Sequence, residues 1–142
     1  MLRTISDIQS DFAFLDEWED RYRYVIELGR ELPDLSDAER NDRTKVPGCV
    51  SQVWLVSEPD TGSPPRIRFR GESDAHITRG LVAIVLALYS GRTADEILLI
   101  DAEGTFAELG LAENLTPQRS NGLRSMVRRI REDAEIARSH AA

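Results

Sequence analysis

One side chain in this sequence of 142 residues has the chemistry to attack or carry a soft atom: Cys49, the only cysteine. It lies in Val46-Pro47-Gly48-Cys49, a turn that opens into the run Val50-Ser51-Gln52-Val53-Trp54-Leu55-Val56. Pro47 restricts the backbone ahead of the thiol, and Gly48 frees it. Reactive groups are often carried this way, on a loop held by a rigid scaffold. The nucleophile in thiol exchange is the thiolate. Arg43 and Lys45 stand near Cys49 in sequence, and a cation there would favour that charge. The same pattern suits a small buried hydrophobe. Residue order leaves both readings open.

Other chemistry finds little support. His76 and His140 sit in no recognisable motif, so a Cys49–His76 pair is conceivable but not called for by spacing. One cysteine and two distant histidines do not make a zinc ligand pattern, and no metal is expected. Gly29, Gly48, Gly62 and Gly71 are isolated, so no glycine-rich phosphate loop is present. Two polar clusters stand out. In Gly71-Glu72-Ser73-Asp74-Ala75, Ser73 is expected to cap a helix, with Asp74 favourable in its first turn. In Leu115-Thr116-Pro117-Gln118-Arg119-Ser120-Asn121-Gly122-Leu123, Thr116-Pro117 reads as helix entry. Arg119 then lies in the first turn, against the preference of the helix dipole. A charge so placed points to a carboxylate partner in the fold or on another protein.

The elements that must position these residues follow from spacing. Ile5, Ile8, Phe12, Leu15 and Trp18 recur at helical steps, and a second apolar face runs from Trp18 to Leu32. A break near Asp16 separates the two pieces, and Pro33 ends the second. Asp34 to Lys45 reads as a long polar loop. Val50 to Val56 is strand-like, and Pro59 to Pro65 is a hairpin connection. Ile67 and Phe69 alternate with Arg66, Arg68 and Arg70 in a second strand that Gly71 closes. A third strand has no clear place. Asp74 to Tyr89 predicts a helix whose middle, Leu81 to Leu88, is apolar all round and therefore central. Thr93 and Glu96 have capping-box spacing for a short helix through Ile100, and a turn falls near Phe106 to Leu111. The last helix turns Leu123, Met126, Val127 and Ile130 inward. The fold class expected is α+β: a small antiparallel sheet packed against helices, as one domain over 1–142.

Composition narrows the setting. The net charge of −7 disfavours nucleic acid as a partner. The arginines of the last helix read as a solvated face. No apolar run is long enough to span a bilayer, the start of the chain has no leader-like region, and one cysteine builds no internal disulfide. The expectation is a cytoplasmic protein.

The ordered segments Tyr24–Pro33, Val46–Trp54, Gly71–Ala75 with Arg79-Gly80-Leu81, and Leu115–Leu123 resemble the SufE family of sulfur acceptors. The core Gly48-Cys49-Val50-Ser51-Gln52-Val53-Trp54 carries most of that likeness. The resemblance implies an α+β fold like that of IscU-type scaffolds. It implies that Cys49 takes persulfide sulfur from a cysteine desulfurase, stimulates that enzyme, and passes sulfur to a downstream iron–sulfur scaffold. Pyridoxal phosphate would belong to the partner, and this chain would bind no cofactor itself. The acceptor would sit at a loop tip, sheltered in an apolar pocket until docking. Lys45, Gly48, Gln52, Trp54, Asp74 and Arg119 would support the loop or meet the partner, with Lys45 or Arg119 helping to activate the thiol. Some family members form dimers. The alternative is a binding module that regulates a desulfurase without using the thiol.

Overall fold

The fold is built on helices packed with a small sheet, in a computed structural model that describes residues 3–141. The leader reading of Met1 and Leu2 and the side chain of His140 lie outside the described residues. Thr4 accepts from the Asp7 amide while the Asp7 carboxylate accepts from the Thr4 amide, which starts α1 (Ile5–Ala13). Phe14 to Glu17 form the break expected near Asp16, and α2 follows (Trp18–Arg30). Pro33 keeps the helix from continuing.

The first strand begins later than the sequence suggests. Val50, Ser51 and Gln52 lie in an irregular loop, and β1 is Val53–Pro59. The cause is a second closure at its start. The Val46 amide donates to the Val53 carbonyl and the Leu55 amide to the Thr44 carbonyl, both at 2.8 Å, around the Lys45–Trp54 bridge. Residues 47–52 are thereby pinched off as a loop with Cys49 near its tip.

The second strand, β2 (Arg66–Ser73), runs antiparallel to β1 from Val53 opposite Ser73 to Pro59 opposite Ile67. Gly71 does not close it. A Cβ there would lie 2.7 Å from side-chain atoms of Leu55 and Val82, so glycine lets a helix cross the sheet closely. The unplaced third strand is β3 (Arg92–Thr93), paired with Arg66 and Ile67 at the edge of a β1-β2-β3 sheet.

Two sequence expectations for the next element are corrected. The central helix α3 is His76–Tyr89, its N-cap is Ala75, and no side chain caps it. Ser73 is held in the sheet opposite Val53. Asp74 turns instead to Gln52, accepting from its amide at 3.0 Å and donating its own amide to the Gln52 carbonyl at 3.3 Å. The helix itself is central as expected: Leu81, Val82, Ile84, Val85 and Tyr89 are all buried.

After α3, the Thr93–Glu96 capping box forms and opens α4 (Ala94–Leu99). Two short helices follow where one turn was expected, α5 (Ala102–Glu108) and α6 (Leu111–Asn114). The last helix, α7 (Pro117–Ala141), buries Leu123, Met126, Ile130 and Ala134 against the same core as α3. The architecture is α+β, with a three-stranded antiparallel sheet and helices around one helix.

Residues 34–45 form a series of tied turns on the way to the Cys49 loop. Buried Glu72 accepts from the Leu35 amide at 2.9 Å and pairs with Arg40 at 3.2 Å. Arg70 bonds Glu39 from β2 and holds that carboxyl down to about 2. The long polar loop is therefore anchored at three points.

The tightest steric demand lies between α2 and α3. A Cβ on Gly80 would sit 2.0 Å from the Val25 carbonyl oxygen, and one on Gly29 would sit 2.7 Å from the Gly80 nitrogen. Backbone meets backbone here, so neither neighbour can yield cheaply. Gly80→Ala is expected to cost about 3 kcal/mol or more, at the upper end for overpacking. Denaturant unfolding measures it, and a midpoint equal to the parent's would contradict this packing.

Candidate functional site

The loop that carries Cys49 is seated on α7. Gly48 has φ +86°, in the region that favours glycine, and a Cβ there would lie 2.6 Å from Ser125 Oγ. A side chain would cost about 1–2 kcal/mol in conformation alone and would also push the loop off the helix. Gly48 is thus needed for both turn and contact. One helical turn earlier on α7, Gly122 faces the sulfur: a Cβ there would be in ordinary contact with Cys49 Sγ at 3.8 Å. The thiol donates weakly to the Gly122 carbonyl oxygen, also at 3.8 Å.

Three further ties hold the loop's base. Asp74 brackets the backbone of Gln52, as described. Trp54, half-buried on β1, faces Glu72 across the strand pair and forms the bridge to Lys45. From α7, the Arg129 guanidinium donates to the carbonyls of Lys45, at 3.3 Å, and Arg43. Arg129 is itself fixed by Asp133 at 3.2 Å. The sequence placed Arg129 with the other arginines of the last helix on a solvated face; its side chain is instead half-buried and engaged with the base of the loop. No local pattern separates it from its neighbours.

The candidate residues therefore divide. Cys49 and Arg119 line one cleft of about 230 Å³, with Val50, Ser51, Thr78 and Gly122. Gly48, Gln52, Trp54, Lys45 and Asp74 are not among its lining residues. They act on the loop from below and behind, and in Gln52 and Lys45 the engaged groups are backbone atoms. Both of those side chains are exposed. His76 is exposed at the start of α3 and is not among the residues lining the cleft, which removes the geometric basis for a Cys–His pair. Among the described residues, no group of three or more His, Cys, Asp or Glu side chains could hold a metal ion.

The electrostatics are those of a resting thiol. Cys49 is half-buried, and burial pushes its thiol up from the ordinary value. No cation is among the causes of that shift, so neither Lys45 nor Arg43 activates the sulfur in this conformation. Arg119 is half-buried with its guanidinium carbon 6.0 Å from the ring centre of Tyr22. Its partner in the fold is thus an aromatic face, and among the described residues it makes no salt bridge. It is also the one charged residue lining the cleft. Beside the thiol, Val50 is 78% exposed and presents apolar surface at the mouth of the cleft.

The cleft wall is less apolar than a simple shelter would be. Leu81 supplies apolar surface, but the hydroxyls of Ser51, Thr78 and Thr116 also line it. Ser51 and Thr116 stand in the sequence motifs, yet Thr78 falls between two of them. No local pattern marks it.

Comparison with known proteins places this arrangement. The family model named SufE, described as an Fe-S metabolism associated domain, matches residues 6–134. An uncharacterized SufE-like protein of Rhizobium etli is 58% identical over 137 residues, covering 95% of this chain and 92% of its own length. A second, from Rhizobium meliloti, is 58% identical over 136 residues, covering 94% and 96%. The solution structure of a hypothetical protein from Thermus thermophilus superposes with a TM-score of 0.76 at 18% identity, over 98% of this chain and 99% of that one. That likeness extends to the fold.

A buried, protonated thiol has a measurable signature. Because burial favours the neutral form, thiolate should appear only above the ordinary cysteine value of about 8.5. The rate of Cys49 alkylation by iodoacetamide, followed against pH, should show a midpoint above that of the same chain unfolded in denaturant. A midpoint below the unfolded value would mean that a cation reaches the sulfur.

Proposed function

The chain belongs to the SufE family, whose domain is associated with iron–sulfur metabolism, and on that premise we propose that Cys49 accepts sulfur from a cysteine desulfurase. The observation that carries this reading is the lone thiol at the tip of a braced loop, opening on a cleft with spare volume. The transfer balances without an outside oxidant. Cys49 gives up its proton, and its thiolate attacks the terminal sulfur of the partner's cysteine persulfide. A Cys49 Sγ–S bond forms, the partner's S–S bond breaks, and the partner cysteine leaves as a thiolate. The partner is then free for another turnover, which accounts for stimulation. The same step in reverse sense, with an acceptor thiol downstream, delivers sulfur for iron–sulfur cluster assembly.

The resting geometry supports a two-state use of the loop. Burial keeps the thiol protonated and unreactive toward stray electrophiles. Docking must then expose it or bring positive charge to it. Exposed Val50 offers an apolar contact at the entrance, and Arg119 offers a cation from the cleft wall. Gly48, Gln52, Trp54, Asp74 and the backbone of Lys45 serve as the loop's supports. Pyridoxal phosphate stays with the desulfurase. A free thiol that must remain reduced suits a reducing compartment such as the cytoplasm, and among the described residues no helix is long and apolar enough to cross a membrane.

Desulfurase turnover tests the reading. Alanine release from cysteine by the host's desulfurase should rise on adding this protein and stay at the basal rate with Cys49→Ser. Stimulation by the serine variant equal to that of the parent would instead identify a regulatory binding module.

A further inference from the structure

The cleft beside Cys49 is larger than the thiol needs. Its volume of about 230 Å³ is several times a water's share of the liquid, roughly 30 Å³. A second sulfur bonded to Sγ would extend about 2 Å beyond it. The cleft therefore has room for that atom without displacing its walls.

One wall carries a hydroxyl that the fold leaves underused. Thr78 lies in the first turns of α3 and is 7% exposed. The one hydrogen bond of its Oγ1 among the described residues is to Ser51 Oγ at 3.5 Å, well beyond the usual O–H···O range. A buried donor without a short partner is costly to keep. Ser51 and Arg119 line the same cleft, and Arg119 has no carboxylate among the described residues to neutralise it.

We propose that Thr78, with Ser51 and Arg119, forms a holding site for the terminal sulfur of the Cys49 persulfide in its anionic form. This rests on the reading of Cys49 as a sulfur acceptor and adds what keeps the sulfur in place. A persulfide anion is an acceptor with no proton to donate. Two hydroxyl donors and one guanidinium match it, whereas a neutral thiol uses none of the three and bonds the Gly122 carbonyl instead. Hydrogen bonds and a cation favour the charged form. An anionic terminal sulfur resists attack by other thiolates, because two like charges must approach each other. The site thus holds the sulfur until docking moves the loop away from α3 and withdraws the Thr78 donor.

The test compares parent, Thr78→Val and Thr78→Ser after loading with a cysteine desulfurase and cysteine, followed by removal of both. Loss of the added sulfur to dithiothreitol is followed by intact mass across a range of pH. In Thr78→Val, loss is expected to be about tenfold faster near neutral pH, the effect of one hydrogen bond to a charged acceptor. Divided by the concentration of dithiothreitol thiolate, the rate should begin to rise at a higher pH in Thr78→Val than in the parent as pH is lowered, and Thr78→Ser should restore both. Alkylation of the unloaded thiol should match the parent and the unfolding midpoint should be no lower than the parent's, which separates loss of a donor from loss of structure. Equal lifetimes and equal pH profiles in parent and Thr78→Val would overturn the holding site while leaving sulfur acceptance intact. A parent that takes up no sulfur would overturn both.

Discussion

The seating of residues 47–52 on α7 is the constraint on which the site depends. The loop leaves the sheet at the Lys45–Trp54 bridge and returns to it at Val53. Its tip reaches α7 through Gly48, where a positive φ disfavours any side chain and a Cβ would force the Ser125 hydroxyl to turn away. With the tip fixed there, Cys49 must face Gly122, and the cleft between loop, α3 and α7 follows. Arg129 fastens the base of the loop to the same helix, and Asp74 fastens its return to the start of α3. Thiol position is thus decided by backbone contacts, with few side chains touching the sulfur.

This arrangement sets a balance between shelter and use. The α2–α3 crossing, with Gly29 and Gly80 in near contact, and the α7 packing form a rigid floor. Against it the loop is held by a handful of hydrogen bonds and one tight contact. Such a segment can open at lower cost than the core can. The proposed transfer, in which the thiol is quiet alone and reactive beside a partner, would use that division. Electrostatics agree: burial alone acts on the resting sulfur, while the cation of the cleft sits apart on the ring of Tyr22.

Much of the fold was readable in the sequence because its signals are local. Helical periodicity located α1, α2, α3 and α7, and the Thr93–Glu96 box located α4. Cys49 was found by being alone and by its Pro-Gly turn. The misses arose where a tertiary contact outweighed a local rule. Ser73 and Asp74 look like a helix cap, yet strand pairing claims the first and the Gln52 backbone the second. Val50 to Gln52 are strand-like by composition, but the bridge at Trp54 turns them into loop. Lys45 looked like a thiol activator, whereas its exposed side chain leaves only its backbone engaged. Thr78 gave no local signal, and Arg129 was read as part of a solvated face, because what engages each lies across the cleft or the groove.

The central claim is that sulfur becomes covalently attached at Cys49. Intact mass spectrometry of the reduced protein after incubation with the host's cysteine desulfurase and cysteine, beside Cys49→Ser, tests it directly. The account requires the parent to gain the mass of one or more sulfur atoms, removable by a reducing thiol, and the serine variant to gain none. A parent that remains unmodified while desulfurase turnover still rises would contradict it.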